Sequence, residues 1–240
     1  MYIEGKNAVR QVILSDKTIN KILVDKNYAS RKDEILSLAA QHKIKIEFLP
    51  KAALDSRSQT GHHQGYMAET VDFSYSSIEE ILNVAKEREE MPFIVILDGI
   101  EDPHNFGAII RSCECGGVHG IIISQDRACQ VNETVIRTST GAISEMKIAK
   151  VVNIKRAIEE LKKQDIWVFA AEIGGNDIYK QNLNLPIALV IGSEGFGIKK
   201  TVQACCDDVL TLPLKGKVNS LNASVACGIV VFEALRQRSK

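Results

Sequence analysis

The sequence predicts an α/β protein with a small N-terminal module and a larger C-terminal domain built on a parallel sheet. Strand patterns and helical patterns alternate along most of the chain, which is typical of the α/β class. The strand patterns after Pro92 are continuous apolar runs, as expected for strands buried on both faces of a parallel sheet. With 240 residues, the chain has enough length for one large domain or two modest ones.

Residues 1–72 are predicted to form the N-terminal module, which carries no catalytic motif of its own. Its expected elements follow from apolar periodicity and from capping residues. They are a helix over 5–14, a strand over 21–25, a helix over 30–41 with Ser30 as its N-cap, and strands over 44–49 and 65–70.

Residues 73–90 are polar and highly charged, and they are predicted to form a linker with a solvated helix capped by Ser76 or Ser77. Residues 91–240 are predicted to form the larger domain. Its expected strands cover 93–98, 118–124, 166–172, 187–192 and 208–213, and its expected helices cover 105–115, 153–163, 199–205 and 220–237.

The composition excludes several classes of protein. The 30 basic and 30 acidic side chains give a formal net charge of zero, so the chain is not a polycationic wrapper of nucleic acid. A hydrophobic content of 45% and a charged content of 25% exclude a disordered or collagen-like chain. No apolar run approaches the ~20 residues that span a bilayer, and the first residues lack the features of a signal peptide. We therefore expect a cytoplasmic protein without a membrane partner.

Cysteine and histidine usage predicts no metal site. The six cysteines include no CxxC pair, and a chain of this length needs no disulfide, so we expect reduced, semi-buried thiols. His62 and His63 are adjacent and have no carboxylate or cysteine beside them in the sequence. We therefore expect them to face solvent or RNA and not to bind a metal.

The first loop of chemical interest follows the strand over 93–98. Open α/β sheets bind ligands at the carboxyl ends of their strands, so polar residues in such loops are candidates for a site. Asp102 and Asn105 supply a turn and an N-cap, and Gly107 allows a close approach of the backbone. Arg111 lies six residues after Asn105, nearly two helical turns along. The alternative interpretation is a capped helix with one surface arginine.

The second loop, residues 191–200, has glycines at 192, 195 and 197. This order does not match the Rossmann fingerprint G-x-G-x-x-G, and Ile198 intervenes where a Walker A loop requires lysine. The sequence therefore predicts a tight glycine loop that brings backbone groups against a ligand, with Glu194 at its tip. The alternative is only the start of a helix.

The third loop, residues 212–228, precedes the last predicted helix. Gly216 turns the chain, and Asn219 or Ser220 is the expected N-cap. Capping requires one polar side chain, but this segment has four close together, namely Asn219, Ser220, Asn222 and Ser224. The excess indicates a site, and the alternative is that three of these side chains are only solvated.

Together the three loops resemble a known family. DPHNFGAIIRSCECGGVHGII, LVIGSEGFG and LPLKGKVNSLNASVACGIVVFEALR are similar, in order and spacing, to the three signature motifs of the SpoU (TrmH) branch of the SPOUT methyltransferases. YIEGKNAVRQVI and HHQGYMA resemble the substrate-binding domain of bacterial 23S rRNA ribose methyltransferases in that family. The resemblance covers nearly the whole chain.

The resemblance implies an RNA 2′-O-ribose methyltransferase with a deep trefoil knot in its C-terminal domain. It implies S-adenosylmethionine as cofactor, RNA as partner rather than DNA, and a homodimer formed through the catalytic domain. The residues that match the family's cofactor pocket are Ile191, Gly192, Gly195, Leu212, Leu214, Leu221 and Ala226. Those that match its polar catalytic set are Asn105, Arg111, Glu194, Ser220 and Asn222.

For the catalytic set we expect positioning roles. A guanidinium does not deprotonate in a protein, so Arg111 is not expected to act as the base. We expect it to hold a phosphate next to the reacting hydroxyl, while Asn105 and Glu194 orient the reacting groups.

Three alternatives stay open beside a 23S rRNA guanosine methyltransferase. One is a methyltransferase that acts on tRNA, and another is an RNA-binding protein of the same fold with weak or lost chemistry. A nucleotide-binding oxidoreductase is disfavoured because the Rossmann order is missing.

The zero net charge does not exclude RNA, because folded RNA is bound through local patches rather than through total charge. The candidate patch near the N-terminus comprises Lys6, Arg10, Lys17, Lys21, Lys26, Arg31 and Lys32, and Lys215 and Lys217 flank the third loop.

Overall fold

The computed structural model describes residues 2–15, 17–29, 33–71, 73–218 and 220–239. The chain divides into two compact units, one comprising the first 74 residues together with Val131–Glu133, and the other comprising the rest. Strands and helices alternate in both units, which confirms the α/β class. Within the described ranges, no helix combines the length and the apolar character that crossing a membrane requires.

The described residues of the N-terminal unit form a four-stranded mixed sheet with three α-helices. The strand order is β1-β4-β2-β3, in which β4 is antiparallel to β1 and β2, and β2 is parallel to β3. The strands are β1 (Tyr2–Glu4), β2 (Ile19–Asp25), β3 (Ile46–Leu49) and β4 (Tyr66–Thr70), and the helices are α1 (Lys6–Ile13), α2 (Glu34–Gln41) and α3 (Lys51–Asp55).

The central strand β2 divides this unit into two small cores. Because successive side chains of a strand point to opposite faces, Ile22 faces the core that includes Val9 of α1 and Ile35 of α2. Leu23 faces the other side and packs with Leu54 of α3. Ser30, the cap expected for α2, lies outside the described residues. The helix begins after Asp33, whose side chain accepts a hydrogen bond from the backbone of Ile35.

The C-terminal unit contains a six-stranded sheet in which every pair is parallel. Its strand order is β10-β8-β9-β5-β6-β7. The strands are β5 (Phe93–Asp98), β6 (Gly120–Ser124), β7 (Lys147–Val151), β8 (Trp167–Asp177), β9 (Ile187–Gly192) and β10 (Asp208–Thr211). The helices are α4 (Ile78–Glu87), α5 (Pro103–Cys115), α6 (Glu133–Thr138), α7 (Ile154–Lys162), α8 (Lys200–Gln203) and α9 (Ala223–Arg238).

The register of β5 with β9 places the loops that follow these two strands next to one another. Leu97 of β5 pairs with Ile191 of β9, and Asp98 pairs with Gly192. All six residues of β5 are buried, so the continuous apolar pattern gave this strand correctly. As a result, the loops that follow β5 and β9 leave the same edge of the sheet side by side.

Helices α5 and α9 pack against each other beside this edge. Gly116 at the end of α5 makes the contact possible, because a Cβ there would lie 2.2 Å from Val231 Cγ1. Cys113 and Cys227 are buried in the two helices, and this burial raises the pKa of the Cys113 thiol well above its usual range. All six cysteines are free thiols.

The expectation of a solvated helix in residues 73–90 is wrong for one face of α4. Ser77 is the N-cap, as predicted, and it forms a capping box with Glu80. However, Ile78, Ile81 and Ala85 are buried, and Ile81 packs so closely on β6 that a Cβ on Gly120 would lie 2.5 Å from its Cγ1. The charged residues between these positions concealed an apolar stripe at helical spacing.

Strands β1 and β7 and helices α3 and α6 are not among the predicted elements, and β8 is longer than predicted. β8 continues to Asp177 because Gly175 allows β10 to approach closely: a Cβ there would lie 2.1 Å from the Val209 carbonyl oxygen. β7 is an edge strand with exposed Lys147 and Lys150, so its sequence lacks the apolar run of a central strand.

In the N-terminal unit, the carboxylate of Glu4 organises the loop that precedes β4. It accepts hydrogen bonds from the Ser58 hydroxyl, from the Gln59 backbone N–H (2.7 Å) and from the Thr60 hydroxyl (2.7 Å). Burial opposes ionisation of Glu4, but these hydrogen bonds outweigh it and lower the pKa of Glu4 to about 2.

This arrangement predicts an acid-sensitive loop. Because the pKa of folded Glu4 lies below its ordinary value of 4.5, its stabilising effect is full above pH 4.5 and is lost as the pH falls towards 2. Hydrogen exchange of the Gln59 amide should therefore lose protection over that interval. The variant Glu4→Gln should reduce the protection at neutral pH and remove the acid transition.

The matched control is Glu34→Gln, which removes another carboxylate of the same unit that, among the described residues, pairs only with Arg10. It should leave the protection of Gln59 unchanged. Wild-type protection of Gln59 in Glu4→Gln would contradict the role assigned to Glu4.

Candidate functional site

A cavity of about 520 Å³ lies at the carboxyl ends of β8, β9 and β10, next to the start of α9. Its walls include apolar side chains such as Leu210 and Val230, while Glu172, Glu194 and Ser220 supply polar atoms. Such a mixture fits a small molecule with a flat apolar part and a few polar groups. The seven residues expected to bind a cofactor all line it, namely Ile191, Gly192, Gly195, Leu212, Leu214, Leu221 and Ala226.

The loop after β9 is a tight glycine turn. Ser193 and Gly197 form an antiparallel bridge, with N···O distances of 3.2 and 2.9 Å. Gly192 is required by this geometry, because a Cβ there would lie 2.2 Å from the carbonyl carbon of Gly197. Phe196 at the tip is 96% exposed, and the next helix starts only at Lys200. The segment is therefore a loop of its own and not merely the start of a helix.

Carboxylates that the sequence analysis did not single out hold this loop in place. Glu172 accepts a hydrogen bond from the Ile198 backbone (2.9 Å). Asp98, whose side chain is completely buried, accepts from the backbone N–H of Lys199 (2.9 Å) and from its ammonium group (2.7 Å). Asp98 did carry a signal in the sequence, because it is a charged residue at the end of an otherwise apolar strand.

A polar cluster stands beside the cavity, centred on the side-chain amide of Asn222. Its Nδ2 donates to Asn105 Oδ1 (2.9 Å) and to Glu194 Oε1. Its Oδ1 accepts from the backbone N–H groups of Ser224 (3.0 Å) and Val225 (3.2 Å), and so caps α9. One amide therefore links the first turn of α5, the loop after β9 and the start of α9.

The expected cap of the last helix was wrong. Asn222 is the N-cap of α9, and Ser220 is not. Asn219, the other expected cap, lies outside the described residues. Ser220 instead lines the cavity, which keeps it within the site in a different place. Because four side chains within six residues can each cap a helix, tertiary contacts decide which of them is the N-cap.

Helix α5 positions Asn105 and Arg111. Asp102 is its N-cap and accepts a hydrogen bond from His104 N (3.0 Å), so Asn105 lies within the first turn and is not the cap. Arg111 is exposed, and among the residues described its side chain forms no hydrogen bond or ion pair. The close approach expected at Gly107 is made by α6, since a Cβ there would lie 2.6 Å from Thr138 Cβ.

The structure thus brings most of the predicted set together. Asn105, Glu194 and Asn222 are joined by hydrogen bonds, and Glu194 and Ser220 line the cavity. The position of Arg111 is set by helix α5. Among the described residues, its side chain forms no hydrogen bond or ion pair with the other four residues of the predicted catalytic set.

The N-terminal basic patch is weaker than expected. Several of its cations form ion pairs: Lys6 with Asp33 (2.7 Å), Arg10 with Glu34 (2.6 Å) and Lys21 with Glu47 (2.9 Å). Arg31 and Lys32 lie outside the described residues. The expectation that both histidines face solvent or RNA is wrong for His63, which is buried and whose Nε2 lies 2.8 Å from Asp55 Oδ1.

Comparison with known proteins agrees with this geometry. Residues 92–232 match the SpoU rRNA methylase family, and residues 2–76 match the RNA 2′-O ribose methyltransferase substrate-binding family. A protein of Bacillus subtilis (strain 168) named as a TrmH family tRNA/rRNA methyltransferase, YacO, is 39% identical over 240 residues, covering 99% of this chain and 96% of the relative.

Two solved structures share the fold. The SpoU methyltransferase AviRb from Streptomyces viridochromogenes, crystallised with AdoMet, superposes with a TM-score of 0.65 at 20% identity, covering 100% of this chain and 91% of that chain. The A. aeolicus TrmH/SpoU tRNA modifying enzyme superposes with a TM-score of 0.58 at 26% identity, covering 68% and 85%.

A parallel α/β sheet with a glycine-loop cavity at its carboxyl edge and a substrate-binding module defines an RNA methyltransferase. The chain belongs to the SpoU/TrmH family of these enzymes. Its cofactor is S-adenosylmethionine, and the cavity fits that molecule because apolar walls can hold the adenine while Gly192 leaves the loop room to fold.

The cavity geometry predicts different outcomes for a glycine that lines the cavity and for one that does not. Gly192→Ala places a methyl group against the backbone of Gly197, and such overpacking costs about 1–3 kcal/mol. Its affinity for S-adenosylmethionine, measured by calorimetry, should fall about tenfold or more.

Gly216→Ala is the matched control, because Gly216 does not line the cavity and the nearest atom to a Cβ at that position is Val218 N at 3.9 Å. Its affinity should stay close to that of the wild type. Equal affinities for the two variants would contradict the tight-turn account of this loop.

Proposed function

We propose that the protein transfers the methyl group of S-adenosylmethionine to the ribose 2′-hydroxyl of a nucleotide in RNA, and that this nucleotide is a guanosine of 23S rRNA. The observation that carries this proposal is the hydrogen-bonded cluster of Asn105, Glu194 and Asn222 beside the cofactor cavity. The match of residues 2–76 to a substrate-binding family of 2′-O ribose methyltransferases supports the ribose as acceptor.

In this proposal the residues of the chain align the acceptor and do not form bonds to it. S-adenosylmethionine would supply a methyl group that is already activated by its sulfonium. As the bond from the methyl carbon to the 2′-oxygen forms, the bond to sulfur breaks, S-adenosylhomocysteine leaves, and the hydroxyl proton passes to solvent. Asn105 and Glu194 orient the ribose hydroxyl towards the cavity, because Asn222 fixes both side chains. Ser220, which lines the same cavity, offers a further hydroxyl to the reacting groups.

Arg111 acts as a phosphate clamp in this account. Its guanidinium is exposed, and its own helix places it on the α5 surface six residues after Asn105. A bidentate contact to the phosphate next to the reacting ribose would fix the hydroxyl in line with the methyl group. A guanidinium keeps its proton, so the clamp explains its use better than a role as base does.

The division of labour between the two parts of the chain is also a proposal. Residues 1–72 bind RNA, residues 73–90 connect, and residues 91–240 carry the methyl transfer. The 23S rRNA is favoured over tRNA because the N-terminal segment resembles the domain of rRNA enzymes, whereas the A. aeolicus tRNA modifying enzyme corresponds to only 68% of this chain. We place the reaction in the cytoplasm.

We further propose that the protein is a homodimer formed through the catalytic unit. The exposed face of α9 carries Val225, Ile229 and Phe232, with exposures of 50%, 37% and 48%, at the spacing of one helical stripe. An apolar stripe of this kind fits a second copy of the helix. The trefoil knot implied by the family resemblance belongs to the same proposal and involves the loops around 191–222.

The substrate is tested by mapping ribose 2′-O-methylation in rRNA and tRNA from cells with and without the gene. We expect the deletion to remove a methyl mark from 23S rRNA and to leave tRNA unchanged. Loss of a tRNA mark instead would make tRNA the substrate. An unchanged pattern, with S-adenosylmethionine still bound by the purified protein, would favour an RNA-binding member with weak chemistry.

Complementation of the deletion strain tests the role of Arg111. The wild-type gene should restore the mark, whereas Arg111→Lys should not, because lysine cannot make the planar bidentate contact. Full restoration by Arg111→Lys would contradict the clamp.

A further inference from the structure

The backbone of Arg127 is unusual among the described residues. Six of the described non-glycine residues have a positive φ. Four of them follow the C-terminus of a helix, where a left-handed residue is ordinary, namely Lys43, Glu89, Thr140 and Asp165. Gln64 and Arg127 follow no helix. Gln64 has a structural contact, since its Oε1 accepts a hydrogen bond from Lys6 N. Arg127 has a φ of 52°, and its side chain makes no hydrogen bond or ion pair of this kind among the described residues.

The loop around Arg127 is held firmly by one side chain. Gln130 Nε2 lies within hydrogen-bond distance of the carbonyl oxygens of Ser124 (3.1 Å), Ala128 (3.2 Å) and Gln125 (3.5 Å). The amide of Gln130 is itself fixed, because its Oε1 accepts from the Tyr75 hydroxyl (3.2 Å). These hydrogen bonds make the loop a rigid support for the side chain of Arg127.

This support lies at the edge of the sheet that carries the site. The loop follows β6, which is the neighbour of β5, and Cys129 N donates to the carbonyl of Ile100 (2.7 Å). Gly99 is the meeting point: a Cβ there would lie 3.9 Å from the Arg127 carbonyl oxygen and 3.9 Å from Ser193 Cβ. Ser193 directly precedes Glu194, so Arg127 stands next to the loop that carries the polar cluster.

We propose that Arg127 is a second phosphate-positioning residue for the RNA substrate, acting beside Arg111. Its side chain is exposed, and within the part of the chain that the structure describes it makes no hydrogen bond or ion pair. A guanidinium in this state is available for the fork-shaped contact that a phosphodiester offers. Arg127 is carried by the loop that follows β6, whereas Arg111 is carried by α5.

Two phosphate contacts would fix more of the substrate than one. A single clamp beside the reacting ribose leaves the strand free to pivot, and a second contact on another phosphate of the same strand removes that freedom. This inference rests on the proposed function, because it concerns the RNA that the site methylates. It assigns Arg127 to binding and orientation, and the cofactor cavity does not include it.

The test uses the full-length protein, tritium-labelled S-adenosylmethionine and total RNA from the deletion strain. Arg127→Ala and Arg127→Gly should each raise the apparent KM for RNA on the order of tenfold, with kcat and cofactor affinity within about twofold of wild type. The slope of log affinity against log salt should fall by about one phosphate contact. Arg127→Lys should recover part of the affinity.

The glycine variant separates binding from folding, because glycine adopts a positive φ without strain. Its melting temperature should equal or exceed that of the wild type while its KM rises. The matched control is Lys163→Ala, which removes an exposed cation at the end of α7, near the amino ends of the strands, and should change neither parameter.

Each outcome has one meaning. Suppose that the wild-type protein labels RNA normally and that Arg127→Ala and Arg127→Gly both keep the wild-type KM and salt slope. The role assigned to Arg127 would then be wrong, while the proposed function would stand. A higher KM in Lys163→Ala of the same size would overturn that role as well, since any surface cation would then suffice. A wild-type protein that labels no RNA would overturn the proposed function itself.

Discussion

The side-chain amide of Asn222 joins the parts on which the site depends. Its oxygen caps α9, while its nitrogen donates to Asn105 at the start of α5 and to Glu194 in the loop after β9. The two ends of one planar amide thus couple helix formation to the placement of two polar side chains. Because an amide cannot turn over without breaking both sets of bonds, the cap also fixes which atoms face the polar cluster.

The parallel sheet makes this link possible. The register of β5 with β9 sends their loops out side by side, and the packing of α5 on α9 brings Asn105 and Asn222 within reach of each other. The buried carboxylate of Asp98 anchors the end of the loop after β9, because it accepts hydrogen bonds from the backbone N–H and the ammonium group of Lys199. The same edge carries the rigid loop after β6, so the features that bind cofactor and those proposed to bind RNA share one scaffold.

Continuous apolar runs made β5 and β9 predictable to the residue, since such runs have few alternatives in an α/β chain. The cavity residues could be named only through the family resemblance, because no local pattern reports that Gly192 lies against Gly197. The sequence did not identify Asn222 as the cap of α9, because one of its hydrogen-bond partners, Asn105, lies more than 100 residues away along the chain. The left-handed backbone of Arg127 has no glycine or asparagine at that position to signal it.

The most direct test of this account is Asn222→Asp. A carboxylate still caps α9, so the melting temperature and the affinity for S-adenosylmethionine should stay near those of the wild type. The variant has no N–H to hold Asn105 and Glu194, and its charge repels Glu194, so kcat for RNA methylation should fall on the order of 100-fold. A wild-type kcat in this well-folded variant would contradict the claim that this amide assembles the site.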